Sequence, residues 1–434
     1  MCERWLDSNC EGLADLAGHA GKEVTFLSVT GIFRAFCIWI WRPLTAPAFT
    51  VSFQRKMQRK VETSMPPLCK AIILCCLSVL LLACSSKEPV KIGFLGGMSG
   101  RVADLGVAGR NGAMLAIEQR NASGGIHGRP VALVVRDDEQ NPEVAQKAVA
   151  DLLSQKIELI IGPMTSSIAM AVLDQVNASK SILLSPTVTT TELTGKDDNF
   201  MRVTGDTGSY ATKVARYQVQ KFGRRTVAVI YDQNNRSYTE SWFRDFRREF
   251  ERQGGSVGTV QTYGSSPSTS FNQLAQVLLK DKPQLILVIS NAIDAALICQ
   301  HIRKLDAAVP IEMAEWASTE RFIELAGGAA EGIMVSQFVN RNDRSERYQT
   351  FLKQYRERFG GQEPGFAGLA GYDAALAAME AYGARKQGES LKQAIIRLNS
   401  FQGGQLRYQI DRFGDANRET TVTIVRNGTY QTLE

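Results

Sequence analysis

From residue 90 onward, short unbroken apolar runs alternate with longer stretches in which apolar positions recur every three or four residues. The unbroken runs are Val90–Leu95, Val131–Val135, Leu159–Ile161, Ile182–Leu184, Val227–Tyr231, Leu285–Ile289 and Gly332–Val335. They predict strands buried on both faces. The periodic stretches between them predict helices at about Val107–Arg120, Pro142–Ser154, Ser166–Ala178, Ser209–Phe222, Tyr238–Gln253, Phe271–Leu279 and Ala292–Leu305. Further helices are expected over Arg344–Phe359, Gly368–Arg385 and Leu391–Leu398. Two last strands, Gln405–Ile410 and Thr420–Val425, flank the turn Asp411–Asp415 as in a hairpin. Strand–helix alternation with buried strands predicts an α/β fold of mainly parallel sheets. Such sheets bind ligands beyond the carboxyl ends of their strands, so the residues just after each strand are the ones to read for chemistry.

The first 84 residues break this pattern. Met65 to Lys70 is a short basic segment, followed by the 13-residue apolar run Ala71–Ala83. That run is too short to span a bilayer comfortably and suits the core of a signal peptide. Its end, Leu81-Leu82-Ala83-Cys84, resembles the bacterial lipobox. The resemblance implies cleavage before Cys84, lipid on its thiol, a tether over residues 84–89 and attachment to a membrane. A leader of this kind starts close to its apolar core, so Met57 or Met65 is the expected first residue, and the first 56 to 64 residues are expected to be an over-extended N-terminus. The apolar stretch Val24–Trp41 carries Arg34 at its centre, which is costly inside a membrane.

Composition sharpens the division. Seven of the eight cysteines fall within the first 84 residues, leaving Cys299 alone after them. One cysteine excludes an internal disulfide and a paired-cysteine zinc site, and its apolar helical setting predicts an inert buried thiol. From residue 84 onward, 41 Lys/Arg stand against 38 Asp/Glu. No cluster of basic residues interleaved with aromatics is present, which argues against a nucleic-acid partner. The stretch Arg244–Arg252 mixes both signs at helical spacing and reads as a solvated face with paired charges.

Gly96-Gly97-Met98-Ser99-Gly100, after the first strand, has neither the dinucleotide spacing nor the Gly-Lys-Ser/Thr of a phosphate loop. Asp137-Asp138-Glu139 leads into Asn141-Pro142, where capping and the helix dipole explain the acidic residues better than a metal. Two later strand ends, Gly162–Ser167 and Ser185–Thr191, offer hydroxyls and helix-start N–H groups suited to a carboxylate. A serine nucleophile is the sharper alternative there, but the Gly-x-Ser-x-Gly elbow is absent. His127 and His301 lie away from strand ends, which disfavours a catalytic triad. These residues speak against an enzyme and carry no cofactor or metal motif.

Gly97-Met98-Ser99-Gly100, Asn121-x-x-Gly-Gly-Ile126-x-Gly128, Asp137-Asp138, Gly162-x-x-x-Ser166-Ser167, Ser185-Pro186-x-x-Thr189-x-x-Glu-Leu-Thr194 and Ala329-Ala330-Glu331-Gly332 occur in this order. Together they resemble the periplasmic branched-chain (Leu/Ile/Val-type) amino-acid-binding proteins of ABC importers, from about Val90 to the C-terminus. The resemblance implies a two-lobed type I periplasmic-binding-protein fold. Each lobe is a mainly parallel sheet flanked by helices, with three hinge crossings between them. Lobe one is expected over residues 90–205 and 337–401, and lobe two over 206–336 and 402–434. It also implies ABC permease and ATPase partners and a lipid-anchored location in the periplasm or at the cell surface.

The resemblance assigns the ligand's carboxylate and ammonium to Ser166 and the segment Thr187-Val188-Thr189. Tyr238 is expected to close over the ligand, and Glu315, or Trp316 one position on, to meet the ammonium. Tyr372 matches a further cleft aromatic. A zwitterion leaving water needs hydrogen bonds at both charges, so these assignments are physically coherent. Leu105 stands where branched-chain binders place an aromatic, Thr187-Val188 replaces smaller residues, and Arg236 adds a charge near the cleft edge. These departures leave the ligand open among aliphatic or acidic amino acids, small amides such as urea, and aromatic carboxylates. A sensory receptor module of the same fold is the alternative to an importer component.

Overall fold

The computed structural model describes residues 88–433 except 265 and 267. The signal segment and Cys84 lie outside the described residues.

Val90–Gly96 (β1), Val131–Asp137 (β2), Leu159–Ile161 (β3), Ile182–Ser185 (β4) and Phe200–Arg202 (β5) form a sheet in the order β2-β1-β3-β4-β5. Every pairing in it is parallel. The crossovers are the helices Ala103–Ala122 (α1), Pro142–Ser154 (α2) and Ser166–Asn177 (α3). Asn141 caps α2 by accepting from the N–H groups of Glu143 and Val144, with Pro142 at the first helical position. Asp137 accepts from the Met98 and Glu139 N–H groups and Asp138 from that of Gln140, so this acidic run braces its own turn.

Helix Thr207–Gln220 (α4) leads into the second sheet, built from Thr226–Asp232 (β6), Ser256–Tyr263 (β7), Leu285–Ile289 (β8), Ile311–Met313 (β9) and Met334–Gln337 (β10). The intervening helices are Arg236–Arg252 (α5), Phe271–Leu279 (α6), Ala292–Leu305 (α7) and Glu320–Ala326 (α8). These five strands pair in parallel. Cys299, on α7, is fully buried, and burial pushes its thiol up to about 12.

The chain then returns to the first sheet. Helices Glu346–Arg358 (α9), Gly365–Ala384 (α10) and Leu391–Leu398 (α11) are followed by a small antiparallel sheet of Ser400–Gln402 (β11), Arg407–Ile410 (β12) and Ala416–Asn417 (β13). Finally Thr421–Arg426 (β14) and Thr429–Thr432 (β15) complete the second sheet, in the order β15-β14-β10-β9-β8-β6-β7. Passages between the sheets occur at residues 203–206, 338–345 and 418–420.

The hairpin expected across Asp411–Asp415 does not join Gln405–Ile410 to Thr420–Val425. β12 pairs with β11 and β13, while β14 pairs antiparallel with β10 and β15. Residues 402–417, expected with lobe two, are held on the first lobe's side by Asp373 of α10. Its carboxylate accepts from the Gly404 N–H at 2.7 Å and its carbonyl from the Tyr408 hydroxyl at 3.2 Å.

α10 lies so close to α1 that glycine is required at the crossing. A Cβ on Gly112 would sit 1.9 Å from the Gly368 carbonyl oxygen, and one on Gly371 2.1 Å from that of Gly109. α5 buries an aromatic ladder at i, i+4 spacing: Trp242, Phe246 and Phe250 stack with centroids 5.8 and 5.1 Å apart. Its other face carries the expected pairs, Arg247 with Glu251 and Arg248 with Asp245, although Asp245 and Glu249 are themselves buried.

Candidate functional site

The site assembles at the strand ends that face each other between the two sheets. On the first side, the chain leaves β3 through Gly162, whose φ of 119° admits only glycine and whose Cβ would sit 2.1 Å from the Leu95 carbonyl oxygen. This tight exit delivers Met164, Thr165 and Ser166 to the start of α3. The neighbouring exit from β4 is stitched to it. Ser185 Oγ donates to the Pro163 carbonyl at 2.7 Å, and Thr187 Oγ1 to that of Met164 at 2.6 Å. The Thr190 N–H donates to Ser166 Oγ at 3.4 Å.

On the second side, β6 ends near Asn235 and the first turn of α5 carries Tyr238. β9 ends in a short turn holding Glu315 and Trp316. Glu315 is buried, and its carboxylate accepts from Trp242 Nε1 at 2.8 Å, from Thr189 Oγ1 at 3.4 Å and from the Tyr238 hydroxyl. Burial raises its carboxyl to about 7 despite these donors. Tyr238 packs edge-on against Trp316, with centroids 5.6 Å apart, and its hydroxyl accepts from the Trp316 N–H.

The two sides are latched together. The Ser167 N–H donates to Asn235 Oδ1 at 3.0 Å, and the Ser237 N–H to Ser167 Oγ at 3.2 Å. Thr319 Oγ1 donates to Asp104 at 2.6 Å, and Arg101 pairs with Asp294. Between these latches lie two adjoining, narrow cavity halves, sharing Thr187, Glu315 and Phe366. The second half adds Leu105, Met164, Thr165, Ser166, Asn235, Tyr238 and Trp316. The first adds Thr189, Thr204, Tyr210, Gln337 and Phe338.

Ser166, Thr187, Thr189, Tyr238, Glu315, Trp316 and Leu105 therefore line one continuous site. Two of the expected residues are placed elsewhere. Val188 turns away from both halves into the apolar cluster containing Ile168 and Leu183. Tyr372 lies farther along α10, where its hydroxyl donates to Gln119 at 2.7 Å and its ring packs on Phe351. Phe366, at the start of the same helix, is the aromatic that reaches the cavity. Arg236 pairs with Glu240 in solvent at 2.7 Å and stays out of it.

Gln337 and Phe338 were within reach of the strand-end rule, because β10 runs two residues past the apolar run ending at Val335. Tyr210, Thr204 and Phe366 carry no such signal. They reach the site from the first turns of α4 and α10 and from the segment joining the sheets. Gln337 is 1% exposed, and neither side-chain polar atom has a partner among the described residues. An unsatisfied buried polar group costs about 1–3 kcal/mol.

A model of the periplasmic binding protein family matches residues 89–429. The chain belongs to that family. It is 25% identical over 255 residues to a Leu/Ile/Val-binding protein of Rhizobium johnstonii, covering 58% of this chain and 68% of that one. It is 22% identical over 333 residues to the leucine-, isoleucine-, valine-, threonine- and alanine-binding protein of Pseudomonas aeruginosa, covering 76% and 87%. In fold, the binding protein is similar to a branched-chain amino acid transporter substrate-binding protein of Streptococcus pneumoniae solved with isoleucine. The TM-score is 0.73 at 22% identity, over 80% of this chain and 99% of that one. It is also similar to a solute-binding protein of an R. palustris ABC transporter solved with benzoate, with a TM-score of 0.72 at 19% identity over 80% and 96%. The two-lobed type I fold is thus shared, and the binding protein's cavity lies between the lobes.

Proposed function

We propose that this chain is the extracytoplasmic solute-binding component of an ABC importer, anchored by lipid on Cys84, and that its cargo is an amino acid. Glu315 carries this reading. A buried carboxyl on one wall faces hydroxyls and the N-terminus of α3 on the other. An amino acid meets both, with its ammonium at Glu315 and its carboxylate at Ser166 and the N–H groups at the start of α3, bordered by Thr187 and Thr189, whose hydroxyl protons go to the Met164 carbonyl and to Glu315. A benzoate-like ligand satisfies the second set and leaves Glu315 facing a like charge. The latches across the cleft fit a closed form stabilised by a ligand that touches both lobes, which is the form a permease would receive. The ligand leaves unchanged.

Calorimetric titration of the purified protein, unfolded and refolded to strip carried-over ligand, tests this reading against amino acids, amides and aromatic acids. Micromolar or tighter binding of one amino acid, lost in Ser166→Ala and Thr189→Ala, is the expected result. Binding of aromatic acids alone overturns the amino-acid assignment. Lipid attachment is tested separately, by incorporation of labelled palmitate that disappears in Cys84→Ser.

A further inference from the structure

The polar capacity of the cavity is unevenly used. In the half away from α3, the Tyr210 hydroxyl is paired with Thr204 at 2.8 Å. Thr189 Oγ1 is paired with Glu315 at 3.4 Å, and Thr187 Oγ1 with the Met164 carbonyl at 2.6 Å. Phe338 and Phe366 supply ring surface. Gln337 differs from all of them. Its backbone is held in the ladder opposite Thr421, whose Oγ1 also donates to the Gln337 carbonyl at 3.1 Å. Its side-chain Oε1 and Nε2 are both buried and unpartnered, and the residue lines the cavity.

We propose that Gln337 reads a carboxamide on the ligand, so that the cargo is an amino acid with an amide side chain. The inference rests on the amino-acid reading above. With the carboxylate at the α3 terminus and the ammonium at Glu315, which borders both halves, the rest of the ligand extends towards Gln337. A carboxamide offers one acceptor and two donors, and pairs with another carboxamide through two hydrogen bonds in one plane. A hydroxyl forms one good bond at a time. A carboxylate only accepts, and sets a charge against Oε1. An aliphatic side chain leaves both Gln337 atoms buried and unpaired, which is the condition under which a polar site rejects an apolar analogue strongly. Leucine and asparagine side chains have the same branching at Cγ, so the shape of the carbon skeleton does not decide between them.

The test is titration of the stripped protein with L-asparagine, L-glutamine, L-leucine, acetamide and benzoate. Asparagine or glutamine is expected to bind at least about tenfold tighter than leucine, because leucine leaves the amide unpaired. Gln337→Leu should reverse that order. Circular dichroism checks that the variant folds; if it does not, the ranking in the natural protein decides alone. Leucine binding tighter than both amides overturns the inference and leaves the amino-acid reading intact. Acetamide binding with every amino acid silent overturns the amino-acid reading. The recognition of a carboxamide by Gln337 then stands only if Gln337→Leu abolishes acetamide binding, and falls otherwise. Benzoate binding alone overturns both; silence from all five probes overturns the inference about Gln337 and leaves the amino-acid reading to the wider panel above.

Discussion

Trp242 donates its indole N–H to Glu315 across 2.8 Å, tying the buried aromatic ladder of α5 to the carboxyl in the cavity wall. A carboxylate held by a rigid indole is set in place before a ligand arrives, and hydrogen bonds to charged groups contribute about 1.5–3 kcal/mol. Trp242→Phe keeps an aromatic ring in the ladder and removes the donor. Amino-acid affinity should fall about tenfold, roughly 1.4 kcal/mol, with the far-ultraviolet circular dichroism unchanged.

Glu315 makes binding pH-dependent. Burial holds its carboxyl at about 7, above its ordinary range. An ammonium ligand binds the charged form, so affinity should rise with pH and level off above 7. Between pH 5.5 and 8 the change should be about 30-fold, the ratio of ionised fractions for a group titrating near 7. Stability of the ligand-free protein runs the other way. A carboxyl raised on folding contributes most below its unfolded value, and that contribution is lost as pH rises through 7. Glu312, raised by burial to about 8, acts in the same direction. Calorimetry and thermal melts across this range check both slopes, and Glu315→Gln should flatten the first.

Arg101 and Asp294 pair across the cleft, on the turn after β1 and the first turn of α7. Asn291 also donates to Asp294, at 2.9 Å, so Asp294 keeps a partner when Arg101 is removed. Arg101 is partly exposed but Asp294 is fully buried, so removing the guanidinium leaves a buried carboxylate with fewer donors, a change that costs more than loss of a surface pair. Arg101→Ala should therefore weaken ligand binding through faster dissociation and also lower the melting temperature. Stopped-flow kinetics separate the two rates.

Gly371 meets the Gly109 carbonyl at the crossing of α10 and α1, where an added Cβ would lie 2.1 Å from oxygen. Backbone atoms cannot swing aside as a flexible side chain does. Gly371→Ala should destabilise the protein by about 1–3 kcal/mol, the range for overpacking, as read from chemical denaturation.

The apolar runs from Val90 to Val335 were sufficient to place most parallel strands, because a strand buried on both faces must be apolar throughout. Among the parallel strands they missed β5 and β9, where Arg202 and Glu312 interrupt three-residue runs, and β7, which is mostly half-exposed and so lacks an unbroken run. Strand-end position brought out Ser166, Thr187 and Thr189, since the βα exits of a parallel sheet point the same way, whereas Glu315 came from the family resemblance alone because β9 before it carries no unbroken apolar run. Neighbouring residues in sequence then parted. Val188 faces the core between two cavity residues, because alternate side chains of an extended segment point to opposite sides.

Tertiary structure alone decided three matters. β12 pairs with β11 and β13, beside Asp373 of α10, and β14 pairs with β10 and β15, so the two late strands do not pair with each other. Phe366 instead of Tyr372 reaches the cavity, because the α1–α10 glycine contact sets how α10 lies against the first lobe. Gln337, an unremarkable polar residue at a strand end, becomes a buried amide with nothing to bond. Periodicity in sequence encodes which faces are buried; which buried polar groups lack a partner depends on what packs against them from distant parts of the chain.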